Sequence, residues 1–155
     1  MQLIIIYEKR MLMIRDMKMT DAEAIRLINA TSLGYDISIE ITKKQMVKLL
    51  ADVNHHFFFV AEENGLVAGY VHAELYESLY SEPMLNVLAL AVDQKHQKKG
   101  LGKQLMQKIE FVASERGLIG VRLNSGETRL GAHKFYESIG YTSDKFQKRF
   151  LKIIS

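Results

Sequence analysis

Cysteine is absent from this 155-residue sequence and proline occurs once. Without thiols there is no disulfide framework, no thiolate zinc site and no cysteine nucleophile. A chain that folds without disulfides fits a reducing compartment, so a cytoplasmic address is expected. One proline and no low-complexity tract leave nothing that reads as a linker, and this length suits one domain that buries about two-thirds of its unfolded surface. Long apolar runs are also missing. The opening "MQLIIIYEKR" carries a run of four apolar residues with its charges after it, far short of a signal segment, and no stretch approaches a membrane span. Neither sign of charge dominates: 21 basic against 18 acidic residues give +3. No basic stripe is interleaved with aromatics, so nucleic acid is not an expected partner.

What is present is a succession of element signals. Met11 and Met13 precede "IRDMKMTDAEAIRLI", so residues 1–12 read as an extension or extra strand ahead of a domain over 13–155. A strand is expected near 11–15. Thr20 with Glu23 is spaced as a capping box before a helix over 21–31, and Thr42 with Gln45 repeats the signature before a helix over 43–53. "HHFFFVAEENGLVAGYVHAELY" holds two β-rich runs joined at Asn64-Gly65, the dipeptide of a tight antiparallel hairpin. Pro83 is read as a break, after which "MLNVLALAV" over 84–92 is apolar enough for a central strand covered on both faces. Leu105, Ile109, Val112 and Ala113 keep helical spacing until Arg116-Gly117. A short strand "IGVRLN", a short helix "AHKFYESIGY" with Gly140 as its stop, and a closing strand "FQKRFLKIIS" complete the order β-α-α-β-β-β-α-β-α-β. The fold class that follows is α/β, a mixed central sheet flanked by helices.

The most informative segment is the junction of the central strand with the next helix. Gln97-Lys98-Lys99-Gly100-Leu101-Gly102 opens a helix whose first N–H groups lack intrahelical partners. Glycine at 100 and 102 lets a ligand approach the backbone, and the helix N-terminus carries about half a positive charge. Lys98, Lys99 and Lys103 add cationic charge, so a phosphate or pyrophosphate is the matched ligand. Walker-type and Rossmann phosphate loops have other glycine spacings, which this chain lacks.

"LALAVDQKHQKKGLGKQLM" resembles the acetyl-CoA pyrophosphate motif of the GNAT superfamily, the Gcn5-related N-acetyltransferases, and "NSGETRLGAHKFYESIGY" resembles the segment that follows it there. The resemblance covers about residues 13–155, with Gln97, Gly100 and Gly102 on the pattern Gln/Arg-x-x-Gly-x-Gly/Ala. It implies the acyl-CoA N-acyltransferase fold, acetyl-CoA as cosubstrate and an amine as acceptor. It also implies a gap between two strands in which pantetheine pairs with the backbone of Leu90, Ala91 and Val92. Asn124 matches a position that touches the cofactor's arm, and Tyr136 matches the tyrosine that protonates the departing sulfur. This sequence departs from the pattern at Lys98, where glycine is common, and at Gln97, where arginine is frequent; the latter loses a charge but keeps a donor. Many members pair as dimers, and the apolar final segment is a candidate for that contact.

Acyl transfer from a thioester needs a neutral amine, a stabilised oxyanion and a leaving thiolate. An alkyl ammonium has a pKa near about 10.4, so a base is required. His72, Glu74 and Tyr76 share one strand face by the two-residue period, and Glu74 is the first choice, against a plain solvated face. Tyr136 has its own plain reading as a core aromatic beside Phe135. His55 and His56, adjacent on a strand, point to opposite sides and build no shared metal site, while His96 and His133 read as loop and helix-surface residues, so no metal is expected. Segments 31–41 and 74–82 carry Asp36, Glu40, Glu74, Glu77 and Glu82 with no lysine or arginine, which points to a cationic acceptor. A different class shares the loop: an acyl-CoA-binding regulatory module that binds without turning over.

Overall fold

The computed structural model describes residues 11–155. Most of the extension expected over 1–12 therefore lies outside the described residues. Its last two do not: Asn64 N donates to Met11 O at 2.8 Å, and Leu12 opens the first strand opposite Glu63. The chain forms two compact units, one ending at Leu123 and the other running from Asn124 to Ser155.

Among its described residues the first unit holds a five-stranded sheet in the order β1 (Leu12–Asp16), β2 (His56–Glu63), β3 (Leu66–Ser78), β4 (Ser81–Val92) and β5 (Val121–Leu123). The first four pair antiparallel and β5 joins β4 in parallel. The β2–β3 turn forms because Asn64 and Gly65 both accept left-handed backbone, at φ 51° and 80°, the combination that a two-residue hairpin of matching twist requires. The parallel pair needs a crossover, supplied by α3 (Leu101–Glu115).

Helices cover both faces. Residues 57, 59, 61 and 63 of β2 point one way, toward α3: the Lys108 and Arg116 cations lie over the Phe59 and Phe57 rings, 5.1 and 4.5 Å from their centroids. On α3 itself Leu101, Leu105, Met106, Ile109 and Ala113 are buried, and each of the large ones stabilises the fold by about 2 kcal/mol. The opposite face meets α1 (Ala22–Ile28) and α2 (Ile39–Leu50). There Ile25, Ile28 and Met46 form one core with Val60, Tyr70 and Ala91. Among the described residues no helix is long and apolar enough to cross a membrane.

Several sequence expectations need correction. The first helix is not capped by Thr20. The chain enters it through a 3₁₀ turn, Met19–Asp21, and no side chain among the described residues caps α1; the Asp21 carboxylate instead closes that turn, accepting Lys18 N at 2.7 Å and two Arg15 guanidinium bonds at 2.9 Å. Burial pushes Asp21 upward, but Arg15 and the Lys18 N–H outweigh it and hold the carboxyl below its ordinary range. The second helix begins at Ile39, four residues early, because Ser38 Oγ accepts Ile41 N at 3.3 Å. Pro83 does not break the chain before the central strand. It lies inside β4, at a register shift between the Tyr76–Met84 and Ser78–Ser81 pairs that gives it no β3 partner. The central strand is not covered throughout, since Leu88 is 50% exposed.

The second unit contains α4 (Leu130–Ser138), ended by Gly140 at φ 100°. The strand expected over 146–155 is absent. Residues 142–155 form neither helix nor strand, and Phe146, Phe150, Leu151, Ile153 and Ile154 are exposed. An apolar stretch becomes a strand only through a ladder partner, and here none of the described residues provides one.

Candidate active site

The parallel pairing of β4 with β5 stops at Val87 opposite Leu123, while β4 continues to Val92. At the same place the β3 register jumps: His72 pairs with Ala89, but Ala73 pairs with Val87. Leu88 is thus a bulged residue, and a bulge bends its strand and terminates local pairing. Beyond it, Asp93 N donates to Ala68 O at 2.8 Å. Antiparallel bonding alternates, so Ala91 and Ala89 also face β3, and the N–H and C=O of Leu90 and Val92 point the other way. Two side chains agree with that direction, because Ser32 Oγ and Gln97 Nε2 each donate to Val92 O at 3.2 Å. Leu90 is left on an edge where no strand of the described residues meets it.

Ser32 is placed by a π-helical turn, Asn29 to Leu33, which continues α1 and ends at Gly34 with φ 77°. The turn is tied to the sheet through the Tyr70 hydroxyl, which donates to Asn29 Oδ1. Burial pushes that phenol up to about 12, against the pull of Asn29.

Directly after the open edge comes the glycine loop. Gln94–His96 makes a single 3₁₀ turn, Lys98 takes φ 63° and Gly100 φ 80°, and the first α3 bond runs from Gln104 N to Gly100 O. The N–H groups of Gly100, Leu101, Gly102 and Lys103 consequently have no acceptor among the described residues. Such a run of free donors at a helix start is suited to hold an anion. Leu101 is buried and offers only its backbone. The departure noted at position 98 now has a physical reading: the position is left-handed, where glycine is at ease and lysine is strained. Lys99 and Gln97 also have tasks inside the protein, Lys99 Nζ lying 3.3 Å from Glu63 Oε1. His96 is not the plain loop residue the sequence led us to expect, since its Nδ1 sits 2.6 Å from Glu63 Oε2.

Around β3 lies a second polar group. Glu74 Oε1 accepts from Asn86 Nδ2 at 3.1 Å, and Asn86 Oδ1 accepts from Arg122 at 2.7 Å. The Arg122 guanidinium covers the Tyr76 ring at 4.5 Å. His55 precedes β2 instead of lying on it, and His56 Nδ1 is 3.0 Å from His72 Nε2. The His72 ring stacks on Phe58 at 3.9 Å. Burial, then the neighbouring His56, lowers His72 to about 4, and burial with His55 lowers His56 as well. Both rings are therefore neutral at pH 7, one donating and one accepting. Among the described residues, Arg122 and Arg26 reach the acid-rich segments from outside, Arg26 lying 3.9 Å from Asp36. Among the described residues no three His, Cys, Asp or Glu side chains group as metal ligands.

The half-buried His72 ring makes stability depend on pH. Its folded pKa of about 4 lies below the ordinary 6.5, so the unfolded chain binds more protons and stability falls as pH drops through that window. The loss attributable to His72 reaches up to about 3 kcal/mol at pH 4. Urea unfolding at pH 7 and pH 4.5 is expected to show a larger acid loss for the wild type than for His72→Phe. Equal losses would contradict the assignment.

Asn124 and Tyr136 belong to the second unit. Tyr136 lies on α4 between Phe135 and Tyr141, with ring centroids 5.2 and 6.1 Å away. Burial raises its hydroxyl above the ordinary phenol range despite the opposing Arg129 charge, so it carries its proton at neutral pH. His133 Nε2 lies 2.8 Å from Gly126 O. Sequence reasoning missed Glu63, Ser32, Asn86 and the Leu88 bulge. Of these only Glu63 left a trace, as one of two acids directly before the hairpin turn.

Residues 24–141 match the model of the acetyltransferase (GNAT) family. An uncharacterized N-acetyltransferase of Chlorobaculum tepidum is 29% identical over 83% of this chain and 74% of its own length. Human N-acetylaspartate synthetase is 29% identical over 59% of this chain, which spans only 32% of that protein. The aminoglycoside N-acetyltransferase AAC(6')-Iy in complex with CoA shares the fold at a TM-score of 0.84 and 16% identity, over 96% of this chain and 99% of that one. An aminoglycoside acetyltransferase from an uncultured soil sample, in complex with trehalose, is 26% identical at a TM-score of 0.77, over 93% and 97%. A family match over most of the chain, on a sheet that opens beside a glycine-bearing helix start, shows that this chain belongs to the acetyltransferase (GNAT) family of N-acetyltransferases.

Proposed function

We propose that this chain moves the acetyl group of acetyl-CoA to a primary amine of a small molecule or peptide by direct attack of the amine on the thioester. The observation that carries the reading is one continuous segment, residues 88–103. It presents an unpaired strand edge at Leu90 and, a loop later, free N–H groups at Gly100, Leu101, Gly102 and Lys103. The pantetheine arm of acetyl-CoA offers amides and its other end a diphosphate, in the same order. The diphosphate takes the helix-start donors, with Gln97, Lys98 and Lys99 around it. The arm runs along Leu90, Ala91 and Val92 and meets Asn124.

In the reaction the ammonium form of the acceptor first gives a proton to Glu74, directly or through water. Glu74 suits this role because Asn86 engages one carboxylate oxygen and leaves the other to the acceptor. The neutral amine attacks the carbonyl carbon, the oxyanion is held by a β4 N–H, the C–S bond breaks, and Tyr136 protonates the leaving thiolate. The extra proton of the new amide nitrogen leaves through water and restores the Tyr136 phenol, while Glu74 gives the first proton to solvent. The raised Tyr136 hydroxyl supports its part as acid.

A thiol-release assay with acetyl-CoA against polyamines, aminoglycosides, amino acids and peptides tests the reading. Release with at least one amine is expected. Saturable binding with no release across the panel would instead favour the regulatory module. The acceptor is read as cationic from the acid-rich segments. Glu77→Lys, an exposed change on β3, is expected to raise acceptor KM about fivefold at low salt and less at high salt. An unchanged acceptor KM would remove the argument for a cationic acceptor.

A further inference from the structure

Two charged side chains are buried among the described residues, Asp21 and Glu63. Asp21 is explained by its bonds to Lys18 N and to Arg15. Glu63, 3% exposed at the end of β2, is not needed by the hairpin, whose geometry Asn64 and Gly65 already provide. A buried carboxylate carries a desolvation cost of several kcal/mol unless its partners are well placed.

Those partners bracket the glycine loop. Glu63 Oε2 lies 2.6 Å from His96 Nδ1 and Oε1 lies 3.3 Å from Lys99 Nζ. His96 closes the 3₁₀ turn after β4, and its Nε2 is 3.9 Å from Asp93 Oδ2, so both ring nitrogens face carboxylates. Lys99 directly precedes Gly100. Between the two anchored residues stands Lys98 in strained left-handed backbone at φ 63°, a conformation that persists only where its surroundings hold it.

We propose that Glu63 is a positioning residue for the diphosphate loop. Through His96 and Lys99 it fixes the backbone that aims the N–H groups of residues 100–103. This rests on the reading above that the loop takes a diphosphate. The sign of the effect separates geometry from charge. Removing a carboxylate from behind an anion site strengthens anion binding if charge alone acts. Loss of the clamp weakens it.

The test compares acetyl-CoA with acetylpantetheine, which keeps the thioester but lacks the diphosphate. For Glu63→Gln, KM for acetyl-CoA is expected to rise about tenfold, with KM for acetylpantetheine unchanged and kcat at saturation within about twofold. His96→Leu, a loop change that leaves the carboxylate in place, is expected to give the same selective pattern at about threefold, and it decides the matter if Glu63→Gln does not fold. A lower or unchanged KM for acetyl-CoA, or an equal rise for both donors, overturns the proposal. If the wild type itself does not prefer acetyl-CoA to acetylpantetheine, the diphosphate reading fails, a result that no behaviour of the variants produces.

Discussion

Replacing Gly100 by valine is expected to weaken acetyl-CoA binding by at least about a hundredfold. Gly100 has φ 80°, and a left-handed conformation costs an ordinary side chain about 1–2 kcal/mol and a β-branched one more. No atom lies within 4 Å of the position a Cβ would take there, so the damage is one of backbone conformation and not of collision. The loop escapes the strain by leaving the left-handed region, which turns the donors at 100–103 away from a common acceptor. A hydrogen bond to a charged group is worth about 1.5–3 kcal/mol, so losing one or two accounts for the size of the effect. The fold should survive, because the core contacts of α3 begin at Leu101. Calorimetric titration of wild type and Gly100→Val with acetyl-CoA, beside a thermal melt of each, checks both halves. A variant that binds normally would show that the loop backbone is not the grip.

The second large effect is at Tyr136. Tyr136→Phe is expected to lower kcat about a hundredfold while KM for acetyl-CoA changes little, since a general acid typically contributes 10² to 10⁴. The lower end applies because a thiolate leaves well without help, thiols having pKa values near about 8.5. Burial raises the phenol, so the acid form persists across the neutral range and falling activity at high pH should set in above the usual tyrosine value. Steady-state kinetics with the most active acceptor measure this. An unchanged kcat would return Tyr136 to a packing role beside Phe135 and Tyr141.

Much of this arrangement is legible in the amino-acid order, for reasons that differ by element. The β2–β3 hairpin follows from Asn64-Gly65, because few dipeptides accept two left-handed residues. Helix α3 follows from Leu105 and Ile109, four apart and both buried. The free donors of the glycine loop follow from backbone chemistry that any helix start possesses, sharpened by Gly100. What escaped the sequence depends on partners distant along the chain. Leu88 looks like its apolar neighbours, and only the register of β3 against β4 makes it a bulge. Glu62 and Glu63 are indistinguishable as letters, yet alternation along β2 sends one to Arg15 and the other to His96. Ser38 and Thr42 are both plausible caps, and the helix takes the earlier one, with Thr42 Oγ1 then donating to Ser38 O at 3.1 Å. The tail 146–155 is apolar enough for a strand, but pairing is a property of two segments.

The central claim is that main-chain groups on one segment of this chain hold acetyl-CoA. Amide nitrogen–proton spectra of the labelled protein during titration with CoA test it most directly. Saturable one-to-one shifts are expected in the amides of Leu90, Gly100, Leu101, Gly102 and Lys103. Saturable binding that leaves those five amides unmoved, or no binding at all, would contradict it.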